Sequence, residues 1–160
     1  MEDINLVRAD PNFRNELAKQ PGGERISACL TCQTCTASCP ITRFNDKFNP
    51  LRIIRLALCG FKEEVLASDF IWLCSSCYAC QERCPQGISI PEFMTLLKNL
   101  AVKEGSVPIG VRAQMKAIKG EGRIYPIDEF DNKKRNKAGL PSLPTSCEAV
   151  KELFPEEGDP

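Results

Sequence analysis

Residues 29–40 read CLTCQTCTASCP, and residues 74–85 read CSSCYACQERCP. Both stretches, called here the first run and the second run, follow the spacing C-x2-C-x2-C-x3-C-P. Eight of the ten cysteines of the chain belong to the two runs. Cysteines organised in this way indicate ligation of a metal centre.

The spacing within each run fits a [4Fe–4S] cluster, in which each of four iron atoms takes one soft thiolate ligand. In C-x2-C-x2-C the chain curls around one cluster and supplies three thiolates. The fourth cysteine is carried away from the curl and, in the bacterial two-cluster pattern, binds the other cluster. The sequence therefore predicts two [4Fe–4S] clusters with crossed ligation. The ligands would be Cys29, Cys32, Cys35 and Cys84 for the first cluster, and Cys74, Cys77, Cys80 and Cys39 for the second.

Other thiol chemistry stays open at the level of sequence. Two all-cysteine zinc sites would normally use paired C-x2-C knuckles that are well separated along the chain. A disulfide framework would suit an oxidising compartment, and three-iron clusters would leave one thiol of each set unused. Histidine is absent from the chain, which excludes Rieske ligation, His-ligated haem and every zinc site that contains histidine.

Charge and hydropathy predict a cytoplasmic protein. The first 20 residues are charged throughout and lack the apolar segment of a signal peptide. No stretch approaches the roughly eighteen consecutive apolar residues of a membrane span. The net charge is zero, and the basic patch DNKKRNKAG at residues 131–139 has no interleaved aromatic residues. We interpret this patch as a solvated loop, with a docking patch as the alternative, and expect no nucleic-acid binding.

The segments around the runs carry helix signals and no strand signals. Asp10 and Pro11 predict the start of a short helix over residues 10–19. Asn49 and Pro50 predict a helix that stops at Gly60, and residues 61–73 predict a second short helix. No alternating strand pattern of useful length occurs, so we expect an all-α fold.

The longest predicted helix follows the second run. Ser89 and Glu92 indicate a capping box at its start, and Gly105 marks its end. Its apolar stripe is formed by Phe93, Leu96, Leu97, Leu100 and Ala101. Another amphipathic helix is predicted in VPIGVRAQMKAIKG, with Val111, Met115 and Ile118 on one side, and a short one in SCEAVKELF.

These patterns suggest three parts of the chain. Residues 1–24 form an N-terminal helical arm, and residues 25–105 form the cluster-binding domain. Residues 106–160 form a C-terminal extension, partly helical, that we expect to dock on a partner. Outside the runs, Cys59 is interpreted as a small apolar residue of the core, and Cys147 is given no special role.

The sequences ISACLTCQTCTASCP (residues 26–40) and DFIWLCSSCYACQERCPQGISIPEFM (residues 69–94) resemble the C subunits of the heterodisulfide reductases of methanogens and related anaerobes. The resemblance covers about residues 25–105. That family is in turn similar to the α-helical ferredoxin domain of succinate dehydrogenase and fumarate reductase iron–sulfur subunits. The resemblance implies an α-helical ferredoxin-like domain with two cysteine-rich, cluster-binding loops, and the eight run cysteines carry over one by one as cluster ligands.

The same resemblance implies a function. The chain would relay electrons from a flavin-containing A subunit to a catalytic, cysteine-rich B subunit that reduces a disulfide such as the coenzyme M–coenzyme B heterodisulfide. No residue of this chain is expected to be catalytic, since no nucleotide motif and no nucleophile–base pair occurs. The alternatives are an iron–sulfur subunit of a glycolate, glycerol-3-phosphate or succinate oxidising complex, and a free-standing diffusible ferredoxin.

Overall fold

The computed structural model describes residues 8–45 and 47–154. This part of the chain contains nine α-helices and short 3-10 turns but no β-strand, which confirms the predicted all-α class. The chain divides into two compact units between Ser106 and Val107. The helices are α1 (Phe13–Ala18), α2 (Thr34–Ser38), α3 (Pro50–Leu58), α4 (Lys62–Leu66), α5 (Ala79–Glu82), α6 (Ile90–Lys103), α7 (Ile109–Glu121), α8 (Glu129–Lys137) and α9 (Glu148–Lys151).

Helices α3 and α6 each have a proline in the first turn, where the missing N–H costs no hydrogen bond. The side chain of Asn49 caps α3 as predicted by accepting the N–H of Arg52 at 3.0 Å. Gly60 and Gly105 follow the two helices with positive φ angles, a conformation that ends a helix and favours glycine. The start of α3 and the ends of both helices are therefore set by local sequence.

A hydrophobic core fills the first unit. The predicted stripe of α6 is buried or half-buried in this core and consists of Phe93, Leu96, Leu97, Leu100 and Ala101. Cys35 and Cys39 belong to the same core, with 7% and 8% exposure. The first run is thus anchored in the core by two of its own thiols.

Helix α1 packs into this core, because Phe13 and Leu17 are completely buried. The prediction of Asp10 as the N-cap of this helix is wrong, because the N-cap is Asn12. The Asp10 carboxylate accepts the N–H of Asn12 at 2.9 Å, and the Asp10 N–H donates to the carbonyl of Gly60 at 2.8 Å. These bonds tie the segment before α1 to the turn after α3.

Two other local predictions are wrong. Residues 61–73 do not form one helix, because α4 ends at Leu66 and Asp69–Leu73 is a separate 3-10 helix. Ser68 breaks the helix by taking an extended conformation, and its hydroxyl accepts the N–H of Phe70 at 3.1 Å. Ser89 makes no side-chain cap bond, because the chain turns tightly there and the Ile90 N–H donates to the carbonyl of Ile88 at 2.9 Å.

Replacing Gly60 with alanine is expected to lower the free energy of unfolding by about 3 kcal/mol. A Cβ at this position would lie 2.3 Å from the Asp10 carbonyl oxygen, and the φ angle of +87° strains any residue with a side chain. Gly120→Ala is the matched control, since nothing lies within 4 Å of its Cβ position in α7. Unfolding by denaturant under anaerobic conditions measures the free energy of unfolding of both variants. Equal values would contradict the close approach of Gly60 to the Asp10 carbonyl.

The second unit contains α7, α8 and α9. Val111, Met115 and Ile118 of α7 are half-buried. Helix α8 covers most of the basic patch that the sequence predicts to be a loop, so that prediction is wrong. The helix is stabilised by a capping box between Asp128 and Asp131, which compensates for its lack of an apolar face.

No apolar side chain of residues 107–154 is buried. Seven large apolar side chains in this range are exposed, with 40% to 88% of their surface accessible: Ile109, Ile124, Tyr125, Phe130, Leu140, Leu153 and Phe154. Burial of apolar surface is the main stabilising contribution to a fold. The second unit therefore lacks a core of its own within the described residues.

Among the residues that the structure describes, none of the helices combines the length and the apolar character that crossing a bilayer requires.

Candidate cluster-binding site

Two cavities lie in the first unit, and together they are lined by all eight run cysteines. Three cysteines of the first run line the first cavity together with the last cysteine of the second run. The second cavity has the reciprocal arrangement. The thiols of the first cavity are Cys29, Cys32, Cys35 and Cys84, and those of the second are Cys39, Cys74, Cys77 and Cys80.

The short helices α2 and α5 carry the fourth cysteine of each run to the cavity of the other run. Helix α2 carries the chain from the curl of the first run to Cys39, and α5 does the same for Cys84 in the second run. The two helices contact each other. Each fourth cysteine is therefore delivered to the cavity of the opposite run, although the ligation of a cluster by either set stays a prediction.

The two curls share an unusual backbone conformation. Thr31 and Gln33 in the first run, and Ser76 and Tyr78 in the second, have φ angles between 51° and 64°. Left-handed conformations at residues other than glycine cost on the order of 1 kcal/mol each and persist only where the surroundings hold them. A left-handed residue beside a right-handed one forms a concave nest of N–H groups that suits an anion such as a cluster sulfide.

Local contacts set the protonation of the thiols. The hydrogen bond between Cys32 Sγ and the Thr34 hydroxyl, 3.4 Å long, lowers the pKa of the Cys32 thiol. Burial raises the pKa of the Cys35 thiol and raises the pKa of Cys80 to about 11. Because the thiolate is the ligand, iron must displace a proton from Cys35 and from Cys80 when it binds.

The side chains fit an iron–sulfur cluster. All ten cysteines are free thiols, and soft thiolates are the ligands that such clusters take. Leu51 and Ile54 add apolar walls to the first cavity, Phe48 and Met94 add them to the second, and Ile90 lines both. Within the described ranges, no three Cys, Asp or Glu side chains stand close enough together to hold a single metal ion.

Several contacts at the site have no signal in the sequence. Thr34 bonds to Cys32, and the Nζ of Lys98 donates to the Cys74 carbonyl at 3.1 Å. The core role assigned to Cys59 is wrong, because this residue follows the last residue of α3 and its side chain is exposed. Cys147 is half-buried at the start of α9 and stands in the second unit, apart from the run cysteines in sequence.

The profile of the 4Fe-4S dicluster domain family matches residues 23–88, a range that contains both runs. The C subunit of the H(2):CoB-CoM heterodisulfide,ferredoxin reductase of Methanothermobacter thermautotrophicus is 33% identical over 155 residues, which are 95% of this chain and 83% of that protein. The chain belongs to the family of heterodisulfide reductase C subunits.

Two further relatives extend this match. The C subunit of the ferredoxin:CoB-CoM heterodisulfide reductase of Methanosarcina mazei is 38% identical over 134 residues, which are 84% of this chain and 82% of that protein. A protein of Archaeoglobus profundus that is named as similar to the heterodisulfide reductase C subunits is 30% identical over 138 residues, 84% of this chain and 70% of its own length. The chain is thus an iron–sulfur electron-transfer subunit that carries [4Fe–4S] clusters within an oxidoreductase complex.

Proposed function

We propose that two [4Fe–4S] clusters occupy the two cavities with crossed ligation. The cluster held by Cys29, Cys32, Cys35 and Cys84 is called the first centre, and that held by Cys39, Cys74, Cys77 and Cys80 the second centre. The observation that carries this proposal is that each cavity is lined by three thiols of one run and the fourth thiol of the other. Four thiols line each cavity, as the four irons of a cubane require, and no three Cys, Asp or Glu side chains among the described residues stand close enough together to hold a single zinc ion.

Clusters of this type supply one-electron transfer when they are bound. The protein would hold them by thiolates, and apolar side chains form part of the wall of each cavity. Ile90 contributes to both walls and is only 3% exposed. A single side chain therefore bridges the two sites, which favours a short path for electrons.

We infer that this path connects two other subunits. In our proposal a flavin-containing A subunit delivers electrons and a catalytic B subunit consumes them by reducing a disulfide, the coenzyme M–coenzyme B heterodisulfide or a similar one. The names of the relatives, which describe CoB–CoM heterodisulfide reductases, support this substrate class. This chain would itself be non-catalytic, consistent with the absence of histidine, the commonest general base.

The second unit is proposed to dock on one of these subunits. Its apolar side chains are exposed, and none of those in residues 107–154 is buried, so the unit lacks the stabilisation that a partner surface would provide. Residues 106–138 also carry eight Lys and Arg against four Asp and Glu. An acidic rim on the partner would complement this charge.

Anaerobically purified protein is expected to contain about eight irons and eight acid-labile sulfides per chain, because two cubanes hold four of each. Iron and sulfide analysis with zinc determination on the same sample checks this. Cys147→Ala is the control and should leave these contents unchanged. Two zinc ions per chain without labile sulfide would contradict the proposal.

A further inference from the structure

Lys98 is a cation at the edge of the second cavity. It lies on α6 and is half-buried, and its Nζ donates to the carbonyl oxygen of Cys74 at 3.1 Å. Cys74 lines the second cavity. The ammonium group is therefore held against the backbone of a residue whose side chain faces the second centre.

Helix α3, which follows the first run, has no equivalent of this lysine. Helices α3 and α6 occupy corresponding positions after the two runs, and each has a proline in its first turn. Lys98 is the ninth residue of α6, which begins at Ile90, and the ninth residue of α3, which begins at Pro50, is the half-buried Leu58. The corresponding helix position thus holds a cation in α6 and an apolar side chain in α3.

Three other charged side chains near the runs are exposed and are therefore more strongly screened by water. Arg25 donates to the carbonyl of Gln86, a residue that lines the first cavity, at 3.0 Å, but its side chain is exposed. Glu82 and Arg83 lie within the second run, and both are exposed and opposite in sign. The half-buried Lys98 is therefore the described cation that distinguishes the two cavities electrostatically.

Reduction of a centre by one electron adds one negative charge, and a nearby cation stabilises the reduced form. We propose that Lys98 raises the reduction potential of the second centre above that of the first, so that an electron shared between them resides mainly on the second. This inference rests on the proposed function. It assigns a direction to the relay: electrons enter at the first centre and leave from the second toward the subunit that consumes them.

The test compares Lys98→Met, Lys98→Arg and Arg25→Gln in the full-length chain loaded with clusters. An anaerobic redox titration with dithionite, followed by electron paramagnetic resonance, measures the reduction potentials of the two centres. Lys98→Met should lower one potential and shift the ratio of reduced second to reduced first centre by about tenfold. Lys98→Arg keeps the positive charge and should keep the potential close to that of the wild type. Arg25→Gln should change either potential much less than Lys98→Met does.

The centre whose potential moves must be the one that Cys39→Ala alters. A lowered potential in the other centre, or no change in either with both clusters retained, would overturn the inference. If Lys98→Met binds less iron, Lys98→Gln takes its place, because its amide can still donate to a carbonyl without a charge. An unchanged potential in that variant also overturns the inference, whereas wild-type protein without two reducible centres would contradict the proposed function instead.

Discussion

Replacing Cys39 with alanine is expected to damage the second centre and to leave the first nearly intact, although Cys39 belongs to the first run. The side chain of Cys39 lines the cavity of Cys74, Cys77 and Cys80 and is 8% exposed. Its loss leaves one iron of the second centre without a thiolate at a buried position. We therefore expect loss of that centre or its conversion to a three-iron form.

The measurement is iron and sulfide content together with the electron paramagnetic resonance spectrum of the reduced protein. Iron should fall from about eight per chain to between about four and seven, with the signal of one centre preserved. Cys59→Ala is the matched control, since this cysteine is exposed after the end of α3 and should leave both centres unchanged. Selective damage to the centre held by Cys29, Cys32 and Cys35 would mean that each run binds its own cluster.

Local signals are sufficient to predict the two helices that follow the runs. Asn49 and Pro50 set the start of α3 through a side-chain cap and a fixed φ angle, and neither depends on the rest of the fold. The stripe of α6 can be predicted because its apolar residues repeat with the helical period. Both features are properties of a short segment, so the sequence of that segment is sufficient to predict them.

The error over Cys59 shows where apolar composition misleads. This residue stands among leucine and isoleucine, which favours a core position. The buried face of α3 is defined by residues such as Leu51, Ile54 and Ala57, and Cys59 lies beyond both this face and the last turn. Helical periodicity, applied strictly, predicts its exposure.

Helix α8 escapes prediction for the opposite reason. Its residues are mostly charged, and no apolar stripe marks them as a helix. The local signals are nevertheless present, because Asp128 and Asp131 form the capping box and Gly139 follows with a φ of 72°. Capping residues therefore deserve more weight than composition in a short, highly charged segment.

Tertiary contacts to the cavities cannot be derived from one segment. The bond from Lys98 to Cys74 joins residues 24 positions apart in sequence, and no periodic pattern predicts it. The left-handed residues are a partial exception. Thr31 corresponds to Ser76, and Gln33 to Tyr78, when the two runs are aligned, but none of these residue types is glycine, so their identity does not indicate a positive φ.

Replacing Tyr125 and Phe130 with serine together is expected to abolish assembly with the partner subunits while iron content stays unchanged. Both side chains are exposed, by 70% and 63%, in a unit without a buried apolar side chain among its described residues. Their removal should therefore change the free energy of unfolding of the isolated chain only slightly. Large aromatic residues at the centre of an interface typically contribute about 2 kcal/mol or more each, so their joint loss should weaken assembly by about a thousandfold.

The measurement is co-purification of the A and B subunits from cells that produce the whole complex, followed by the rate at which the reduced clusters are reoxidised by the heterodisulfide. Asn99→Ser, an exposed change on α6, is the control and should preserve both. Wild-type chain alone should remain reduced in the presence of the heterodisulfide, because the proposal leaves bond chemistry to another subunit. Rapid reoxidation of the isolated chain would contradict the proposed relay. Normal assembly of the double variant would exclude Tyr125 and Phe130 from the docking surface without contradicting the relay.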